Sequence, residues 1–268
     1  MRRESIRGGK HMEEPGRNKA DTRHPADKKH PLGTLLIVSS GAAVLIALGM
    51  IFFYAPREAT MGEVQRIFYF HVSSAWVGFF AFLVAFLGGI VYLVREERRW
   101  DILALSSVEI GLTFITMTVI TGSLWARPTW GVFWTWEPRL TISAVQLLIY
   151  VSYLMLRAAI DSPVRRARFA AVYSVLAFAT VPLSWFAIRW WRTLHPDVLT
   201  GGAGLAIVPK MLHTLLVSLL AFTLLYGTLL WQRVRLERAA EALAHLRTQL
   251  DIGPGSVPGE IRSDGFSR

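Results

Sequence analysis

Four of the ten tryptophans of this chain, Trp125, Trp130, Trp134 and Trp136, fall within twelve residues, and the stretch closes with Glu137 and Arg139. Indole surface beside a few fixed charges suits a large, planar, mostly apolar ligand with anionic edges. Haem has that form. An interfacial aromatic belt accounts for a tryptophan or two at each helix end, not for four in one connecting segment. Gly131 lets backbone approach such a ligand closely. Arginine grips carboxylates bidentately, which singles out Arg139, then Arg127, Arg66 and Arg192, as partners for the ligand's edge. A bare carboxylate would repel that edge, so Glu137 is expected to orient an indole N–H or to pair with an arginine. Pro128 and Pro138 bracket the segment and predict that no long regular helix crosses it.

The chain has no cysteine, so no thiolate serves as a metal ligand and any iron must be held by His, Met or carboxylate. Of seven histidines, His11, His24 and His30 lie in a polar, proline-punctuated tail, and His245 lies in a charged C-terminal stretch. Three remain: His71 in RIFYFHV, His195 in RWWRTLHP and His213 in PKMLHTLL. Neutral imidazole is the usual axial ligand of haem iron, and two histidines from different segments can approach one plane from opposite sides. A membrane histidine is also satisfied by a neighbouring hydroxyl or carbonyl, the plainer reading for His213.

The elements that must position these residues are membrane helices. Hydrophobic residues make up 53% of the chain and gather into runs of about twenty, the length that crosses the hydrocarbon layer. Six spans are read, at about 33–54, 70–94, 103–124, 140–157, 168–187 and 208–232. In lipid every backbone polar group must be satisfied internally, so continuous apolar runs mean helices. The fold class is therefore an all-α integral membrane protein, a bundle of six transmembrane helices. The net charge of +10 is distributed by topology rather than as a nucleic-acid footprint. Twenty-two of the 29 Lys and Arg residues fall in the N-terminal tail, the 95–102 and 157–168 connections and the C-terminal tail, against seven in the alternate segments. Under the positive-inside rule both termini are cytoplasmic, and the tryptophan segment, His71, His195 and His213 share the outer face. Residues 1–31 read as a disordered basic tail. Residues 32–235 form the membrane domain, and 236–268 a short amphipathic helix followed by a loose end. The Gly201-Gly202-Ala203-Gly204 run lacks the Lys-Ser/Thr of a phosphate loop, so no nucleotide site is expected in this chain.

Three separated segments in this order resemble the tryptophan-rich ("WWD") haem-handling proteins of cytochrome c maturation, and within them the haem exporter protein C (CcmC) family. They are RIFYFHV at 66–72, TGSLWARPTWGVFWTWEPRLT at 121–141 and WWRTLH at 190–195, and the resemblance covers about 33–235. It implies a non-covalent, transient haem b at the periplasmic face of a bacterial inner membrane. The iron would lie between His71 and His195, with Trp125, Trp130, Trp134 and Trp136 against the porphyrin. It further implies a CcmA-like ATPase, a CcmB-like permease, a small CcmD-like membrane subunit and a CcmE-like haem chaperone as partners, with no ATPase site here. This sequence departs from the family pattern at Glu137, where Asp is usual, and at Phe133, where Trp is common. Pro138 resembles the related haem lyases, CcmF and CcsA, so the alternative function is a cytochrome c haem lyase that positions haem for thioether attachment.

Overall fold

The computed structural model describes residues 31–191, 194–195 and 207–250. His11, His24, His30, Arg192 and most of both tails lie outside the described residues. Within them the chain is all helical, with six segments long and apolar enough to cross a membrane. Helix α1 (Pro31–Gly49) ends in a π-helical turn, Met50–Tyr54, and α2 (Ile67–Arg95) follows a 3-10 turn, Glu63–Arg66. Helices α3 (Arg98–Trp130) and α4 (Pro138–Ala158) come next. The fifth span is broken into α5 (Pro163–Ala177) and α6 (Thr180–Trp190), and α7 is Pro209–Gln249.

The centre is the α2–α3 hairpin, closed by Glu96 in the left-handed region (φ 54°), whose N–H bonds the Tyr92 carbonyl. Lipid supplies no hydrophobic drive between helices, so close backbone approach through small residues does that work. A Cβ at Gly111 would stand 2.9 Å from that of Ala81, and one at Gly88 would stand 3.3 Å from that of Ala104. Helices α4 and α5 pack on one side of the hairpin around Phe82, Val108 and Tyr150. Helix α7 packs on the other, around Val77, Phe114 and Phe222, and carries α1.

Ion pairs lock the end away from the tryptophans. Arg157 on α4 grips buried Asp101 on α3 through both nitrogens, at 2.5 and 3.0 Å. Arg233 on α7 grips Glu109 on α3 in the same bidentate way, at 2.6 and 3.0 Å. The first pair is buried and the second about a third exposed, and together they hold α4 and α7 against α3.

Three sequence expectations change. Helix α3 does not stop at 124 but runs on through Pro128 to Trp130. Pro128 removes one hydrogen bond only two residues before the helix ends, where little of the ladder remains to break. Gly131, at φ 80°, then terminates it, donating its N–H to the Arg127 carbonyl, as a glycine just past a helix end does. The tryptophan segment is thus half helix end and half loop. The second change is the break at Phe178–Ala179. Pro182 has no N–H to offer the Phe178 carbonyl, which accepts from Val181 instead at 2.9 Å. The third is at the C-terminus, where the expected separate amphipathic helix is the uninterrupted continuation of α7.

Candidate functional site

The connections 55–62 and 131–137, and the described residues 191, 194–195 and 207–208 of the next, lie at the same end of the bundle, because each is reached after an odd number of spans. There the helices diverge around a cavity of about 340 Å³. Its wall includes His71 and Trp76 from α2, Gly122 and Trp125 from α3, Trp130 and Trp134, Arg139 and Ser143 from α4, Trp185 and Arg189 from α6, and His195. Polar atoms are few and converge, the pattern of a ligand site.

The two histidine rings lie 6.2 Å apart, centre to centre, tilted by 36°. Nδ1 of His71 is 3.0 Å from the Thr118 carbonyl. A carbonyl only accepts, so Nδ1 carries the proton and Nε2 is left as the lone-pair nitrogen. Gly122 sets the ring's position from α3, since a Cβ there would stand 2.9 Å from His71 Cε1 and 3.3 Å from Nδ1. His195 is held differently. Glu137, the residue before α4, accepts the N–H of Leu194 on Oε2 at 2.8 Å. The acid of the tryptophan segment is therefore tied to the backbone next to the second histidine.

Trp125 and Trp130 meet edge to face at 5.5 Å, as do Trp134 and Trp136 at 5.7 Å. Trp134 buries its indole N–H without a hydrogen-bond partner. A buried donor left unsatisfied costs about 1–3 kcal/mol, and this one belongs to a residue of the cavity wall. Arg139 lines the same wall, and its guanidinium reaches the Ser184 carbonyl of α6 at 3.5 Å.

The family profile described as heme exporter protein C matches residues 23–249. The heme exporter protein C of Bradyrhizobium diazoefficiens is 34% identical over 194 residues, covering 72% of this chain and 74% of the relative. That of Escherichia coli K12 is 32% identical over 200 residues, covering 72% and 79%. The chain belongs to the heme exporter protein C family. The relative from Paracoccus denitrificans, 28% identical over 217 residues, covers 78% of this chain and 88% of itself.

Of the residues singled out in the sequence, His71, His195, Trp125, Trp130, Trp134 and Arg139 come together on this heme exporter C chain's cavity wall. The others among the described residues do not line it. Trp136 is 78% exposed. Gly131 serves as the helix terminator described above. Arg127 bonds the Gly131 carbonyl and stacks over Phe133. Arg66 pairs with Glu63 and bonds the Ile51 carbonyl at 2.6 Å. His213 is 3.3 Å from the Tyr54 hydroxyl, the hydroxyl partner that the plainer reading of it required.

Sequence reasoning missed Trp76, Gly122, Trp185 and Arg189. Arg189 was counted only as a basic residue of the outer face. Trp76 and Trp185 stand alone in apolar spans and give no clustering signal. Gly122 gives none either, because its role depends on a ring 51 positions away in sequence.

Proposed function

We propose that this chain holds haem at the outer face of the bacterial inner membrane and presents it to a CcmE-like haem chaperone during cytochrome c maturation. It does so with a CcmA-like ATPase, a CcmB-like permease and a small CcmD-like subunit. The observation that carries the reading is the histidine pair. Two metal–imidazole bonds of about 2.0 Å each, with the ring radii added, span about 6.3 Å between ring centres, against the 6.2 Å between His71 and His195. Among the described residues no third His, Cys, Asp or Glu joins them to cage a bare ion. A pair suits iron whose other four positions a macrocycle already fills.

The macrocycle, haem b bound without a covalent link, lies against Trp125, Trp130 and Trp134 as an apolar wall. Its propionates face Arg139 and Arg189, with the Trp134 indole N–H as a further donor. Glu137 keeps His195 in reach through Leu194. Iron and porphyrin supply the chemistry of later attachment, and this chain supplies orientation and electrostatics.

The purified chain, loaded with haem, tests this. It is expected to show the optical spectrum of six-coordinate, bis-histidine haem and to pass that haem to a purified CcmE-like chaperone. A chain that takes up no haem would overturn the reading. Haem bound but attached directly to apocytochrome without the chaperone would turn it to the lyase.

A further inference from the structure

We infer that the cavity opens sideways into the bilayer, between α6 and α7, and that its ligand enters and leaves through that portal, edge first, from the lipid. The inference rests on the haem reading above and says by which route the ligand reaches its site. The cavity is walled in turn by α7 (Leu219), α2, α3, α4 and α6. Helix α7 finds its helix partners in α1, α2 and α3, whereas α6 packs on α4. Among the described residues, the two ends of that series therefore face each other across the cavity with no other helix packed between them.

Exposure marks the same place. Most of the wall is at least partly shielded, the tryptophans of the 125–134 stretch included. The exposed members are Trp76 at 50%, Trp185 at 44%, and Arg189. A side chain that both lines a cavity and is half exposed stands at its mouth. Trp76 is fixed there: its indole N–H donates to Thr223 Oγ1 of α7 at 3.2 Å, and its ring is parallel to that of Phe80. Trp185 stands on the opposite jamb. The gap has a cause in the sequence. Helix α5 lies tight on α2, where a Cβ at Gly89 would stand 3.1 Å from the Ala171 carbonyl oxygen. The Pro182 break then lets α6 leave that course and lean on α4 instead.

The mouth has the polarity of its cargo. A flat amphiphile in a bilayer keeps its carboxylates at headgroup depth and its ring in hydrocarbon. Arg189 lies one helical turn from Trp185 toward the cavity's end of the bundle. The guanidinium thus stands at the level of the carboxylates, with the two indoles at the level of the ring. A porphyrin sliding in at this angle keeps its charged edge paired throughout, and no carboxylate crosses the hydrocarbon.

The absence of native cysteine makes the test direct. Trp76→Cys, Trp185→Cys and, as a control at the exposed end of α3 away from the cavity wall, Thr129→Cys are reconstituted in lipid nanodiscs and loaded with haem. Each is then modified with either a bulky maleimide or a methylthio group. Haem exit into phosphatidylcholine vesicles is followed optically. Bulky adducts at 76 and 185 are expected to slow exit at least about tenfold relative to the small adduct, the effect of a modest steric barrier. The adduct at 129 is expected to leave it unchanged. Equal exit rates for bulky and small adducts at 76 and 185 would overturn the portal, as would equal slowing at 129. Because both indoles also line the cavity, exit is compared only between the bulky and the small adduct of the same variant, so that a change in affinity on losing the indole is common to both arms. Failure of the unmodified wild-type chain to take up haem at all would instead sink the haem reading, and is seen before any adduct is made.

Discussion

Gly122→Ala should separate haem binding from folding, and by amounts that follow from distances. The new Cβ would stand 2.9 Å from Cε1 of His71, where carbon atoms in contact ordinarily keep about 3.5–4.0 Å. The ring must therefore retreat by roughly half an ångström or more. It is tethered by the 3.0 Å bond from Nδ1 to the Thr118 carbonyl, so the retreat strains that bond and moves Nε2 off the line to the iron. Crowding of this kind costs about 1–3 kcal/mol. Alanine in place of glycine in a helix interior returns about 1 kcal/mol, so thermal unfolding should shift little. Haem affinity has no such offset and should fall about tenfold, the equivalent of 1.4 kcal/mol. Titration of haem into the purified variant, read at its main absorption band, measures this. Gly227→Ala is the control, since nothing lies within 4 Å of a Cβ there, and it should bind haem as wild type does. Wild-type affinity and spectrum in Gly122→Ala would refute the placement of His71.

Glu137→Gln keeps an acceptor for the Leu194 N–H but removes its charge. Charged and neutral hydrogen bonds differ by about 1 kcal/mol, and at this exposed site haem affinity should fall by up to about fivefold. Affinity unchanged even in Glu137→Ala would release that residue from any hold on His195. Arg157→Leu should destabilise the fold, but by less than the about 3–5 kcal/mol of a wholly uncompensated buried charge, because Arg98 still pairs with Asp101. Adding Asp101→Leu should recover much of the loss when unfolding in detergent is followed by circular dichroism. Reporter fusions at residue 134 should lie outside the membrane and those at both termini inside, as the basic asymmetry requires. A cytoplasmic residue 134 would remove the site from the face where a periplasmic chaperone works.

The six spans and the meeting of His71, His195, Trp125, Trp130 and Trp134 were legible in the sequence, whereas the exposed Trp136 does not join them. Apolar length and aromatic clustering are local signals, and alternation of spans brings their ends together. The helical course of Trp125 to Trp130 was not legible. Pro128 reads as a stop, yet a proline two residues before a helix end has little ladder left to break. The break in the fifth span was missed for the converse reason: Pro182 sits in an apolar run whose hydropathy gives no sign of a missing N–H. Gly131 illustrates a glycine whose positive φ serves the backbone rather than a ligand. Glu137 is legible as an acid near the ligand's edge, but its bond to a main-chain amide 57 positions on is not, since main-chain partners leave no mark on residue type. Gly122, Trp76, Trp185 and Arg189 depend on which helix faces which, which periodicity within one span does not encode.

The central claim is that His71 and His195 hold one iron between them, and the spectrum of the double variant His71→Ala/His195→Ala tests it most directly. Wild-type chain and double variant are purified with haem, and each is read optically and by electron paramagnetic resonance before and after addition of free imidazole. The double variant should lose the six-coordinate low-spin signature and most of its haem, and imidazole should partly restore both by filling the space left by the rings. A double variant that keeps the wild-type spectrum and occupancy without imidazole would contradict the claim and place the iron elsewhere.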